Sequence, residues 1–303
     1  MGNLKKYGKR ENALLNHKPT SNQKYINFYQ AVGQKYPEEE IVYRSLRGIL
    51  RKKFVEKWLS QQNGTLLDIG TGEGIYLREY KGKMAIGIDI ALSKILKARK
   101  RLPESLSHSC RFVVSDAEAL WCFKQESFDV ILCSEVIEHL VNPESLWQAV
   151  YNLLKPGGTA LITCPFYKKN RPGWTPLGLL KLYGIPDIKN DQYYHTAFTP
   201  EELQASAELN GLEVVEKGTV EKEIRYAVIP SLFVYVILEK INRWLLHSDS
   251  LERWNQCIMD RGSYVVYRII CFFKLQSFLN QFVRYGVRSY SIIKKPLNTL
   301  YNH

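Results

Sequence analysis

Residues 66–74 read Leu-Leu-Asp-Ile-Gly-Thr-Gly-Glu-Gly, an apolar run closed by Asp68 and followed by Gly70, Gly72 and Gly74 around Thr71. Glycines in such a turn carry no side chain to keep a ligand from the backbone. A helix expected to begin at Ile75 would offer its free amide groups to an anionic group. The chemistry indicated is retention of a nucleotide-like cofactor. Two further acids close apolar runs downstream: Asp89 ends residues 84–89 and Asp116 ends residues 111–116. A carboxylate at Asp89 suits the two hydroxyls of a ribose. A fourth run, residues 128–134, ends at Ser134 and leads into Glu135-Val-Ile-Glu138-His139. Spacings of three and four bring those acids and the imidazole near one another, and His195 precedes a later helix start.

The order Asp68-x-Gly70-x-Gly72-x-Gly74 resembles motif I of the class I S-adenosylmethionine-dependent methyltransferases, and departs from the G-x-G-x-x-G spacing of dinucleotide-binding folds. Five ordered segments over residues 64–166 are similar to the small-molecule and quinone-pathway O-methyltransferase branch of that family. The resemblance implies S-adenosylmethionine as cofactor, held by Asp68, Gly70, Thr71, Gly72, Gly74, Asp89, Ile90, Asp116, Ala117 and Ser134. Asp116 would take the adenine amino group, and the backbone N–H beside it would read the ring. For the acidic and imidazole cluster it leaves three readings. Glu135, Glu138, His139 and His195 hold a divalent ion, Mg or Zn, as in relatives with a Glu-x-x-Glu-His set and a downstream histidine. Without metal, His139, Glu135 and His195 are the candidates for deprotonating the acceptor. Or His139 only shapes the pocket. Methyl transfer is an in-line displacement on an activated donor, so positioning carries most of the catalysis.

These residues need a scaffold that brings strand ends together. Strand and helix patterns alternate over residues 64–166, which predicts an α/β doubly wound, mostly parallel, seven-stranded sheet of the Rossmann-like methyltransferase kind, with N-terminal helices and a helical insertion before the last strand. The expected organisation is an N-terminal helical cap (1–62), a cofactor-binding core (63–221), an apolar helical insertion (222–287), and a final strand and tail (288–303). One short helix is expected over residues 22–32. Pro37 with the following glutamates predicts a second, carrying Val42, Leu46, Leu50, Phe54, Val55 and Trp58 on one stripe. Asn142-Pro143 marks a capped helix start, and Thr199-Pro-Glu-Glu202 a capping box. An apolar insertion, residues 167–195, follows the fifth strand. The sixth strand is expected at Leu212 and the seventh at residues 288–296.

The chain has 303 residues and a net charge of +12, unevenly spread. Residues 1–62 hold 13 Lys and Arg against 5 acids, residues 222–303 hold 12 against 5, and the middle is slightly acidic. Basic flanks attract phosphate-bearing surfaces, anionic lipid or nucleic acid, and also serve simply as a solvated surface. The six cysteines form no C-x-x-C pair and read as reduced thiols. No secretory leader or lipid anchor is expected, so the location is cytoplasmic, with a peripheral position on the inner face of a membrane in view. Residues 227–238 are uncharged but too short to span a bilayer. The insertion is expected to pack on the core, form a homodimer interface, or lie in a membrane surface. The expected activity is methyl transfer to a small or lipid-linked acceptor, most simply O-methylation. The alternatives are RNA 2′-O-methylation with a divalent metal and a catalytically silent scaffold.

Overall fold

The computed structural model describes residues 23–37, 42–168, 171 and 173–297. Its centre is a seven-stranded sheet of β1 (Thr65–Ile69), β2 (Met84–Asp89), β3 (Cys110–Val114), β4 (Phe128–Ser134), β5 (Leu154–Pro165), β8 (Glu213–Val220) and β9 (Arg288–Lys294), in the order β3-β2-β1-β4-β5-β9-β8. All neighbours are parallel except β9, which runs antiparallel to both β5 and β8. This is the expected class, with the final strand where the sequence placed it. Parallel strands covered on both faces need continuous apolar runs, and Leu66, Leu67, Ile69, Ile131, Leu132 and Cys133 are fully buried.

Helices cover both faces. The helix α1 (Gln23–Lys35) matches the short helix expected over residues 22–32. The next, α2 (Leu46–Leu59), begins later than the Pro37 reading. Ser45 caps it, its Oγ accepting from the Gly48 N–H at 3.2 Å. Residues 38–41, which include the glutamates of that reading, lie outside the described residues. The helix α3 (Leu92–Arg101) follows β2, and α4 (Pro143–Leu153) starts with proline in its first turn as expected. Asn142 makes no side-chain cap bond there, so the pyrrolidine ring and Glu144 carry that start. In α5 (Pro200–Leu209) the capping box is complete: Thr199 Oγ1 accepts from the Glu202 N–H and the Glu202 carboxylate from the Thr199 N–H.

The segment after β1 corrects the sequence reading. No helix forms from Ile75; Gly72 to Glu79 is a run of turns. Gly70, Gly72 and Gly74 all have positive φ (+71°, +55° and +74°), which an α-helix cannot continue. At Gly70 a Cβ would stand 2.2 Å from the Val136 side chain, so its bareness admits a neighbouring loop. Buried Glu73 fastens the turn to α3 through Lys94, Lys97 and Arg101.

Beyond β5, the short antiparallel pair β6 (Trp174–Pro176) and β7 (Gln192–Tyr194) frames the first apolar insertion. Leu177, Ile185 and Ile188 pack with Phe28 of α1 in a separate small core. The second insertion forms α6 (Ile224–Ile241), a π-helical turn over Asn242–Leu246, α7 (Asp249–Phe272) and α8 (Gln276–Gln281). No helix among the described residues is long and apolar enough to cross a membrane. Cys110, Cys133 and Cys164 are buried free thiols, and Cys122 is exposed.

Candidate active site

The parallel strands β1 to β4 end at one edge of the sheet, and a cavity of about 1000 Å³ opens there. It is lined by Asp68, Gly70, Thr71 and Gly72 after β1, Asp89 and Ile90 after β2, Asp116 and Ala117 after β3, and Ser134 and Glu135 after β4. Gly74 is absent from the lining; its bare face looks toward Phe112 and Ala98 instead. The volume is at the top of the range for a single small ligand, enough for a cofactor with a second molecule beside it.

Each strand-tip acid is held by backbone or hydroxyl donors. Asp89 accepts from the Gly72 N–H at 3.0 Å and the Ala91 N–H at 2.8 Å, which pins the glycine turn against β2. Thr71 donates its hydroxyl to Asp68 at 2.7 Å and its N–H to the Ile88 carbonyl at 2.8 Å. Burial lifts the Asp68 carboxyl to about 7, with Thr71 opposing the shift and Asp89 adding to it. Asp116 accepts from the Glu118 N–H at 2.9 Å, and Ser134 shares a hydrogen bond with Thr163 at 3.0 Å.

At the far end the wall is aromatic. Phe28 stacks on Tyr193 with ring centres 5.4 Å apart, and Tyr29 meets His139 edge to face at 5.9 Å. The His139 and His195 rings lie 5.0 Å apart. Glu138, His139 and His195 each offer a ligand atom within 4.8 Å of the others. The Thr196 N–H donates to the Glu138 carbonyl at 2.9 Å, which brings the residue-195 turn to the β4 loop. Burial pushes the Glu138 carboxyl up to about 8, while burial and then His195 push the His139 imidazole down to about 3. Glu138 Oε2 and His139 Nδ1 are buried without a hydrogen-bond partner among the described residues. Three donors of this kind fit a divalent cation.

Glu135 does not join them. Its φ is +62°, and its carboxylate is ion-paired with Arg288 and lies 3.7 Å from Arg51. The expected four-residue donor set is therefore three residues here, with Glu135 committed to guanidinium groups. Residues the sequence reading missed are Arg51 and Tyr76 on the donor side and Tyr25, Tyr29 and Tyr193 on the aromatic side, all lining the cavity. One signal for Arg51 was present: it stands three and four residues before Phe54 and Val55, on the buried stripe of its helix.

Residues 67–162 match the family described as a methyltransferase domain. The chain is 30% identical over 140 residues to a ubiquinone biosynthesis O-methyltransferase of Leptothrix cholodnii, covering 45% of this chain and 60% of that one. It is 28% identical to the mitochondrial enzyme of that name from Rattus norvegicus, covering 70% and 66%. Among solved structures, Haemonchus contortus phosphoethanolamine N-methyltransferase 2, bound to phosphomonomethylethanolamine and S-adenosylhomocysteine, superposes with a TM-score of 0.52 at 20% identity, over 89% of this chain and 60% of that one. Residues 67–162 are a methyltransferase domain, and the chain has the fold of the S-adenosylmethionine-dependent methyltransferases. The methyltransferase spans less than two thirds of either curated relative, and the structural likeness speaks to its fold.

Proposed function

We propose that this methyltransferase moves the methyl group of S-adenosylmethionine onto a hydroxyl oxygen of a small, lipid-like aromatic acceptor at a membrane surface. The observation that carries the reading is one continuous cavity with strand-tip acids at one end and two imidazoles beside an aromatic wall at the other. In this reading the donor lies against Asp68, Gly70, Thr71, Gly72, Asp89, Ile90, Asp116, Ala117 and Ser134, with Asp89 on the ribose and Asp116 on the adenine. The acceptor ring lies among Tyr25, Phe28, Tyr29 and Tyr193, where flat apolar faces suit it. Two curated relatives bear the name ubiquinone biosynthesis O-methyltransferase, which fits such an acceptor.

Bound S-adenosylmethionine supplies an activated methyl carbon, so the residues of the chain chiefly align the acceptor oxygen and exclude water. A divalent cation held by Glu138, His139 and His195 would lower the pKa of an acceptor hydroxyl. The depressed His139 leaves its imidazole neutral near pH 7, the form that ligates metal or accepts a proton. Glu135 keeps the wall polar beside Ser134 through Thr163, whose hydroxyl donates to it at 3.2 Å.

The test is transfer of labelled methyl from S-adenosylmethionine to fractionated lipid, small-molecule and RNA extracts. Label in a phenolic lipid fraction, lost in Asp89→Ala and His195→Ala, is the expected result. Label in RNA alone would replace the acceptor, and no binding of S-adenosylhomocysteine by calorimetry would leave a silent scaffold.

A further inference from the structure

The second insertion leaves β8 after Val220 and rejoins at Arg288, and those two residues pair across the strands. Because β8 and β5 are both antiparallel to β9, β8 runs parallel to β5. Its end therefore lies at the edge of the sheet where β1, β2 and β4 present Asp68, Asp89 and Ser134. The insertion stands at the cavity edge of the molecule. Where it meets α2 its inner side is apolar, Ile224 and Tyr267 packing with Leu46; between α6 and α7 it is small and polar, with Ala227, Ser231, Asn255 and Ser263 buried. A Cβ on Gly262 would come within 2.9 Å of Ser231 Oγ, and Asn255 donates to the Tyr235 carbonyl at 2.9 Å.

Beyond that contact with α2, many large apolar side chains point outward. Phe233 is 69% exposed, Trp244 81%, Leu245 75%, Phe272 80%, Phe278 57% and Phe282 74%. Small residues between helices and bulky ones outside invert the arrangement that water selects and match packing against an apolar medium. Large apolar side chains exposed in this number within one helical unit mark an interaction surface. Its charge names the partner. Residues 224–287 carry eight Lys and Arg against four acids, and the stretch 261–287, with Arg261, Arg268, Lys274 and Arg284 all exposed, carries no acid. Two copies meeting face to face about a two-fold axis would juxtapose these like charges, whereas lipid phosphates neutralise them. No helix among the described residues is long and apolar enough to cross a bilayer, so a lipid partner would be met at its surface.

We propose that α6, the π-helical turn, α7 and α8 form a docking platform for an anionic lipid bilayer, seated in the headgroup layer with the cavity mouth beside it. The inference deepens the lipid-like acceptor reading by naming the surface where that acceptor is reached; the docking itself is measured without turnover.

The experiment floats the full chain with vesicles of phosphatidylcholine alone and of phosphatidylcholine with phosphatidylglycerol, at about 0.1 M salt where charge attraction persists within a Debye length. The expected result is strong flotation on the anionic vesicles and weak flotation on the neutral ones. Lys274→Glu with Arg284→Glu should cut partition by at least about tenfold, since each cation near an anionic surface contributes roughly fivefold. Phe233→Ser with Trp244→Ser and Phe272→Ser should do the same on both vesicle types. Calorimetry with S-adenosylhomocysteine on each variant checks that the sheet and cavity are intact. A wild-type chain that stays at the bottom of the gradient while binding S-adenosylhomocysteine overturns the docking platform and leaves the methyltransferase reading standing. So does equal flotation of the charge-reversed variant, or a dimer by light scattering that the apolar substitutions dissolve.

Discussion

Arg288 and Glu221 lock the two ends of the helical insertion together: Arg288 Nε donates to Glu221 Oε1 at 2.6 Å, with both side chains buried. The same guanidinium meets Glu135 on the cavity wall. One cation thus joins the insertion's exit, its entry and the loop after β4. Burial presses on both partners, pulling Arg288 down and lifting Glu221 to about 7 against the opposing charges of Arg51 and Arg47.

Removing one member of such a pair strands the other. Arg288→Gln is expected to cost about 3–5 kcal/mol of unfolding free energy. Arg288→Gln with Glu221→Gln should cost less than the two single changes summed, and denaturant melts of the four proteins measure that coupling.

Gly70→Ala meets two obstacles, a φ of +71° and the Val136 methyl 2.2 Å from the new Cβ. The expected loss is about 1–3 kcal/mol of stability, with weaker S-adenosylhomocysteine binding. Adding Val136→Ala relieves the clash and restores only part of the stability, because the backbone strain remains. Thermal melts of both variants follow it.

Asp89 braces the glycine turn through the Gly72 and Ala91 amides and is the proposed ribose contact. Charged hydrogen bonds of this kind contribute about 1.5–3 kcal/mol each. Asp89→Ala should therefore weaken S-adenosylhomocysteine binding by roughly ten- to a hundredfold, read by titration calorimetry.

Asp68 gives stability a pH dependence of defined sign. Its folded pKa is raised to about 7 from the ordinary 3.8, so the folded chain holds a proton that the unfolded chain releases. The stabilisation is full below the unfolded value and is lost as pH climbs toward 7, by an amount on the order of a few kcal/mol. Melts from pH 4 to 8 should show wild type losing stability relative to Asp68→Asn, which has no proton to release. Parallel curves would refute the shift.

For the three-donor cluster, a chelator is expected to reduce methyl transfer by about a hundredfold, a scale within what a metal or general base supplies. Mg, Mn or Zn should restore it, and His195→Ala should match the chelated enzyme, with S-adenosylhomocysteine affinity unchanged. Full turnover after chelation would assign the cluster to metal-free work.

The strand-tip acids were legible because buried parallel strands leave continuous apolar runs, and Asp68, Asp89 and Asp116 interrupt them at the points where chain leaves the sheet. The final strand at Arg288 was placed by the apolar-basic-proline ending that the family resemblance implies, since Ser289 and Ser291 leave it no continuous apolar run. The helix after Gly74 was misread because composition does not reveal that Gly70, Gly72 and Gly74 all take a left-handed backbone. Glu135 was grouped with Glu138 on helical spacing, yet its left-handed backbone turns it toward Arg288, a partner 153 positions further along the chain that local pattern cannot supply. Ser45 was hidden as a cap because the apolar stripe appeared to run unbroken from Val42. Periodicity located the insertion's helices and could not say which faces were buried, since large residues occur on both: Ile224 and Tyr267 face α2, while Phe233, Trp244 and Phe272 look outward.

Val220 and Arg288 sit opposite each other in one ladder, so residues 221–287 depart from and return to a single point. A tight turn of a few residues could bridge that gap with little added chain entropy. The helical unit is in this sense a detachable graft. A minimal enzyme lacking it, with Glu221 kept beside Arg288 and Leu46 made polar where Ile224 and Tyr267 had covered it, should keep its sheet, and the same unit transplanted onto another parallel-sheet enzyme at the matching hairpin should carry its surface preference along.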